Sequence, residues 1–374
     1  MDSIIWQAGR DEDRLSFEHF VPLECPWSSC PSRNSEATYR AHSNGSFLRK
    51  CDGRRVPRFR CPACKAGFSA QTFRVDYRLK KPQLLRLHME LFVSKVTLRQ
   101  TARISGANYD TVARHQRLLG VHCRALQRSL LIRSRDATSS GSELGGSAPS
   151  DGDQNSRITT IAFDELETFE TDRVNKPVTA AVVVDAKSLF ILEVEVGALP
   201  QRRRRGSKRR DSGQAGSSGT TRRSGSRRAV RSALRRTAEW LGTEARVVAI
   251  SDKKRTYPAA LKRAFGTRCI AHVQVSSKAR RINSNPLFPA NLTLAMLRDG
   301  VSRLVRRSWA HSKLRSRLRL HLWIWIAWRN WCRDRVVGSR GHTAAMEAGH
   351  ANQPLSRGRL LGWHGRFTWL AGRP

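Results

Sequence analysis

Residues 158–275 carry apolar runs in an order that few folds accommodate. Three short runs come first, at 158–163, 178–184 and 190–196, joined by brief loops. A helical pattern over 229–241 follows, then a run at 246–250, a helical stretch over 257–265 and a last run at 268–275. Consecutive strands followed by alternating helix and strand specify an α/β sheet. Asp164 closes the first run and Asp252 follows the fourth, so two carboxylates stand where apolar strands are expected to stop.

Three strands, then helix, strand, helix, strand and terminal helices is the order of a ribonuclease-H-like fold. In that fold the first strand is central and the fourth lies beside it, which brings Asp164 and Asp252 towards each other. Carboxylates crowd together only where something offsets their repulsion, and a hard divalent cation does so. Two such ions, Mg²⁺ or Mn²⁺, activate a water or 3′-hydroxyl and stabilise the leaving oxygen when a phosphodiester reacts. Each aspartate alone is equally at home closing a turn or capping a helix. A third carboxylate is expected from a later helix. Between Asp252 and Asp334 the only acid is Asp299, in a basic helical segment where it could instead pair with Arg298, Arg303 or Arg306. Glu165 and Glu167 are candidates for supporting the site, whereas Glu193 and Glu195 are expected on the exposed face of their strand.

The charge balance narrows the partner. Lys and Arg number 69 against 30 Asp and Glu, a formal net charge of +39. Such a field concentrates polyanions, nucleic acid above all, through counterion release. No apolar run is long enough to span a membrane, and the first residues carry neither a basic leader nor a cleavable apolar stretch, so a cytoplasmic location is expected.

Of the 8 cysteines, five fall within the first 64 residues. Cys25 and Cys30 form a C-x4-C pair, and Cys61 and Cys64 a C-x2-C pair flanked by Phe59 and Phe68. Two close pairs suit tetrahedral thiolate coordination of Zn²⁺ by two hairpin knuckles, with the phenylalanines covering the site. Cys51 reads as a small packing residue between them. Downstream, Pro82 opens a helix with Leu85, Met89, Phe92 and Val96 on one face. Thr97 to Gln100 is a capping box opening a second helix, Ser105-Gly106-Ala107 a tight turn, and Asn108 the cap of a third helix ending at Gly120. That is a helix-turn-helix pattern. Its DNA-binding version places Tyr109, Thr111, Arg114 and Arg117 in the major groove; a plain helical hairpin would leave the arginines solvated. Further on, Trp323, Trp325, Trp328 and Trp331 cannot share one helix face, so core packing competes with base stacking for some of them.

These features divide the chain into a zinc-ribbon module (1–78), a helix-turn-helix domain (79–133), a Ser/Gly/Asp-rich linker (134–157), an α/β domain (158–333) with an arginine-rich insertion (201–228), and a basic tail (334–374).

Over residues 20–333 the chain resembles the zinc-ribbon, helix-turn-helix transposases of small bacterial insertion sequences, which end in a DDE domain of ribonuclease-H-like fold. The carriers are Cys25, Cys30, Cys61 and Cys64, Asp164-Glu165, Ser251-Asp252 with Tyr257 and Leu261, and Asn291-Leu-Thr-Leu before a basic helix. The resemblance implies DNA as partner, element ends and target alike, homo-oligomers as an option, and Mg²⁺ held by Asp164 and Asp252. The family's third acid falls near 288–291, where this chain has none. Asp299 in its place, Asn291 as a neutral ligand, or a protein that binds DNA without cutting it all follow as alternatives. A general nuclease of the same fold is a further rival.

Overall fold

A computed structural model describes residues 20–34, 38–139, 158–202, 222–305 and 311–363. Near the N-terminus β1 (His42–Leu48), β2 (Arg55–Arg60) and β3 (Gly67–Ser69) form an antiparallel three-stranded sheet. Phe59 stacks on Phe68 at 5.7 Å between ring centres, and Phe20 and Phe73 complete the cluster. So small a sheet has little apolar area to bury and needs another staple. Part of it is ionic: buried Asp76 accepts from Arg49 at 2.9 Å and Arg74 at 3.0 Å, tying the ribbon to the chain that follows. Burial alone would raise its carboxyl, but Arg74 and Arg49 hold it down at about 2.

Three helices follow: α1 (Leu84–Val93), α2 (Leu98–Ser105) and α3 (Tyr109–Ser139). The expected capping box is present, the Gln100 amide donating to Thr97 Oγ1 at 3.3 Å and the Thr97 amide to Gln100 Oε1 at 3.1 Å. Gly106 takes the left-handed turn with φ of 63°. The third helix does not end at Gly120. It continues to Ser139 and so removes the first six residues of the expected linker; 140–157 lie outside the described residues. Gly120 is instead a point of close approach to a later helix, since a Cβ there would meet the Leu320 carbonyl oxygen at 2.6 Å.

The second sheet has five strands: β4 (Ile158–Glu170), β5 (Asp172–Asp185), β6 (Ile191–Ala198), β7 (Arg246–Asp252) and β8 (Cys269–Val275). Their order is β6-β5-β4-β7-β8, with the first three antiparallel and β7 and β8 parallel to β4. Helices α4 (Ser226–Leu241) and α5 (Tyr257–Phe265) carry the crossovers; α6 (Phe288–Gly300), α7 (Ser302–Val305) and α8 (Arg315–Trp331) follow. The chain is therefore mixed α/β. Two strands are longer than their apolar runs, because β4 and β5 extend past the sheet's middle as a two-stranded ribbon turning at Thr171, φ 59°. Asp164 thus lies within β4, two residues beyond its last pairing with β7.

Of the insertion expected at 201–228, Ser226 already opens α4 and 203–221 lie outside the described residues. Past β6 the chain stays on β5, the Leu199 amide donating to the Pro177 carbonyl at 2.9 Å and the Arg202 amide to the Val174 carbonyl at 2.8 Å, and the entry to α4 returns to the end of β6, where the Gly225 amide donates to the Ala198 carbonyl at 2.7 Å. A Cβ on Gly197 would sit 2.6 Å from the Gly225 carbonyl oxygen.

Helix α8 opens with an exposed basic turn at Arg315 and Ser316 and is buried on every side from His321 to Ala327, as an apolar stretch of helix must be. Trp323, Trp325 and Trp331 are almost fully enclosed, so none is offered to a base. From the same helix Asn330, with Gln127 of α3, hydrogen-bonds the outer edge of β6 at Ile191, blunting an edge otherwise open to pairing. One apolar cluster runs from α1 and α3 through the sheet to α8. Glu193 and Glu195 are not on an exposed face: α3, α4 and α8 cover β6, leaving both side chains buried. Glu195 meets Arg236 at 2.7 Å, Arg319 at 3.1 Å and Arg124 at 3.5 Å. Beyond Arg333, residues to 363 form two short helices, α9 (Ala344–Glu347) and α10 (Arg357–Gly362); 364–374 lie outside the described residues. Among the described residues no helix is long and apolar enough to cross a membrane.

Candidate metal centres and nucleic-acid face

In the ribbon the sulfurs of Cys25, Cys30, Cys61 and Cys64 all lie within 4.8 Å of one another. Cys30 and Cys61 are 3.6 Å apart and Cys25 and Cys64 3.7 Å, close to the edge of a tetrahedron with metal–sulfur bonds of ~2.3 Å. Lys65, in the left-handed conformation with φ of 60°, turns the second knuckle so that its amide donates to the Cys61 carbonyl at 3.0 Å. The four thiols shift unequally: burial pushes Cys25 up and Cys64 is also raised, whereas at Cys61 burial is outweighed by the Tyr39 hydroxyl and the Cys64 and Ala63 amides, leaving it at about 6. A thiol ionised at neutral pH is the form a metal takes. Cys51 stands outside the four and accepts from Arg49 Nε at 2.9 Å.

The parallel ladder pairs Ala162 of β4 with Ile250 of β7. Two residues further on in each strand, past the last pairing, come Asp164 and Asp252, level in register and on the same face because side chains alternate with a period of two. Both line one small cleft of about 30 Å³, together with Ser276, Ser277, Ala279, Arg281, Asn285, Leu287 and Asn291. That is room for a water or a single ion. Burial raises the Asp164 carboxyl, the Glu165 amide partly offsets this, and the Asp252 and Glu165 charges push it further, to about 6. The segment after β8 closes the cleft: Asn285 accepts from the Leu287 amide at 2.9 Å and donates to the Arg280 carbonyl at 2.8 Å, setting the angle at which α6 enters.

Asn291, one turn into α6, lines this cleft together with the two aspartates. Asp299 is not brought to them. Eight residues later, ~12 Å along the helix, it is 74% exposed and ion-paired with Lys95 of the helical region. Glu165, next to Asp164, points to the opposite face. Its carboxylate accepts from Ser226 Oγ at 2.7 Å, Tyr257 OH at 2.9 Å and Thr179 Oγ1 at 3.1 Å, and forms an ion pair with Lys254. Apolar periodicity cannot reveal this cluster, because its members come from four elements. Glu167 pairs with Arg202 at the surface.

Of the groove-reading candidates on α3, Tyr109, Arg114 and Arg117 are exposed and Thr111 half-buried, all at its solvent-facing N-terminal end. Asn108 caps that end, its Oδ1 accepting from the Asp110 amide at 2.8 Å. Among the described residues a far larger cavity, about 1370 Å³, lies between α3, α4 and α8, lined by Arg124, Arg236, Arg319, Trp240 and Trp323. Size does not make it the reactive site; the level pair of carboxylates lies elsewhere, at the small cleft. Comparison with protein-family models, with curated proteins and with solved structures gives no match.

Proposed function

We propose that this chain is a DNA strand-cleaving and strand-joining protein of the transposase type, with a ribonuclease-H-like catalytic domain. The observation that carries the reading is the placement of Asp164 and Asp252 level on adjacent parallel strands, facing one cleft. Hard oxygen donors in this arrangement suit Mg²⁺ or Mn²⁺, and Asn291 supplies a neutral oxygen where a third acid is absent. A cation bound there would lower the pKa of an attacking water or 3′-hydroxyl or stabilise the departing oxygen. The protein's own part is to hold the two carboxylates together, keep Asn291 opposite them, and offer the Arg281 guanidinium at the rim to a phosphate oxygen.

The remaining regions fit the same reading. Four thiols at tetrahedral spacing suit a structural Zn²⁺ that completes the ribbon. The exposed N-terminal end of α3 presents Tyr109, Arg114 and Arg117, with Thr111 beside them, to a DNA major groove, and the excess of basic residues supplies sequence-independent affinity.

Purified protein, duplexes made from the DNA flanking its coding region, and Mg²⁺ or EDTA make the test. Cleavage that needs Mg²⁺ and disappears in Asp164→Ala and Asp252→Ala supports the assignment; wild-type cleavage by both variants defeats it. A second reading, a DNA-binding regulator without strand chemistry, is favoured by one feature, the amide at 291 in place of an acid. It predicts binding unaffected by EDTA once zinc is retained, and no cleavage under any divalent ion.

A further inference from the structure

The two candidate cation ligands are held by the same kind of bond. The Glu165 amide donates to Asp164 Oδ1 at 2.7 Å, and the Lys254 amide donates to Asp252 Oδ1 at 3.1 Å. The two residues that supply these amides are joined through their side chains, because Lys254 Nζ is ion-paired with Glu165 Oε2. A closed circuit therefore runs from one aspartate through Glu165 and Lys254 to the other. It crosses from β4 to the loop between β7 and α5 on the side of the sheet away from the cleft.

We infer that the Glu165–Lys254 pair is a brace that sets the separation and orientation of the Asp164 and Asp252 carboxylates, making both residues positioning residues for the cation site. The inference rests on the proposed cation site. Three observations support it beyond proximity. Only 7% of the Glu165 side chain is exposed, and its two oxygens together accept from four donors, so its lone pairs are used and it has none to offer an ion. Lys254 is fixed at its far end as well, with Nζ 3.0 Å from Ser226 Oγ and lying over the Tyr257 ring at 5.5 Å. The anchors come from β4, β5, α4 and the start of α5, so the brace connects the loop after β7 to the centre of the sheet. Two anionic carboxylates repel each other, and this connection ties the end of β7 at Asp252 across to Asp164 beyond the point where β4 and β7 stop pairing. Groups behind metal ligands commonly matter for this reason.

The test is Mn²⁺ binding to the full chain with zinc retained, followed by calorimetry and by the free-Mn²⁺ resonance signal. Lys254→Met and Glu165→Gln should each weaken Mn²⁺ binding by about tenfold or more, and the double variant by little more than either single change. Lys254→Arg, which can keep the ion pair, should restore most of the affinity. Zinc content and DNA binding should not change in any of them, which separates loss of the brace from general damage. If Glu165→Gln does not fold, Lys254→Met carries the test, since that side chain is 38% exposed and can be removed with little repacking. Mn²⁺ affinity within twofold of wild type in Lys254→Met overturns the brace, provided Asp164→Asn abolishes binding. If Asp164→Asn and Asp252→Asn also bind Mn²⁺ normally, the cation site itself is wrong and the brace falls with it.

Discussion

At the ribbon, four thiols lie within 4.8 Å of one another, three of them buried; at the sheet, two carboxylates and an amide line a small cleft. The first set is complete. Four soft donors at tetrahedral spacing leave no position for substrate, which is the arrangement of a metal that holds a fold together. The second set is short of donors and open at its rim, which leaves places for water and for phosphate oxygens. Their surroundings differ in the same sense. The ribbon has only a small aromatic cluster beside its thiols, whereas the carboxylates sit on a five-stranded sheet that would fold without any ion. A metal that stabilises a fold and one that performs chemistry should therefore answer mutation with opposite signs.

The largest expected effect is at the thiols. Chelating zinc, or Cys61→Ser, should unfold residues 20–75 and leave the helical signal of the remaining chain; a chelated protein that melts as before would remove the thiols from this account. Next come the aspartates. Asp164→Asn should bring Mg²⁺-dependent cleavage to background yet leave the melting temperature of metal-free protein unchanged or higher, because it relieves a half-buried like-charge pair. A clear drop in that temperature would mean that the acids serve the fold.

The pH dependence sharpens the contrast, since two carboxylates shift in opposite directions. Asp164 is raised from an ordinary 3.8 to about 6, so its contribution to stability is fully present below 3.8 and is lost as pH rises through about 6. Asp76 in the ribbon's ion cluster is lowered to about 2, so its contribution is present above 3.8 and is lost as pH falls towards 2. Thermal melts of metal-free Asp164→Asn between pH 4 and pH 7 should show a flatter slope than wild type; equal slopes would count against the raised Asp164 value. A smaller change is expected from Asn291→Asp, which adds charge at the cleft and should tighten Mn²⁺ by about tenfold. Unchanged affinity would place Asn291 outside the ligand set. Smallest of all is Asp299→Asn, which breaks only a surface pair with Lys95 worth ~0–1 kcal/mol and should leave cleavage within about twofold. Loss of cleavage there would return Asp299 to the site.

Much of this was legible in the sequence where the signal is local. Cysteine spacing, the capping box at Thr97 and the sequence of apolar runs each depend on neighbours along the chain, and each appears in the structure as expected. Features created by distant packing were not legible. Gly120 resembles a helix stop, and its real partner is Leu320, two hundred residues away. Glu193 and Glu195 alternate like an exposed strand face; arginines of α3, α4 and α8 make the burial of Glu195 tolerable, and Glu193 accepts from the Trp240 indole and the Val194 amide. Burial still leaves the Glu193 carboxyl raised to about 8. Asp299 stands out in the sequence because it is acidic, whereas helical rise decides which residue of α6 reaches the cleft, and that residue is Asn291.

The hydrogen bond from Gly225 to Ala198 has a consequence for how this chain can vary. It ties the end of β6 to the entry of α4, while the described residues nearest the arginine-rich segment are anchored on the β4–β5 ribbon, Arg202 by the Val174 carbonyl and Glu167, and Arg222 by Glu170. Sequence change between those two arginines should therefore leave the register of β4, β5 and β6 as it is, whereas a side chain at 197 would meet the Gly225 carbonyl oxygen at 2.6 Å and force the strand end and the helix entry apart.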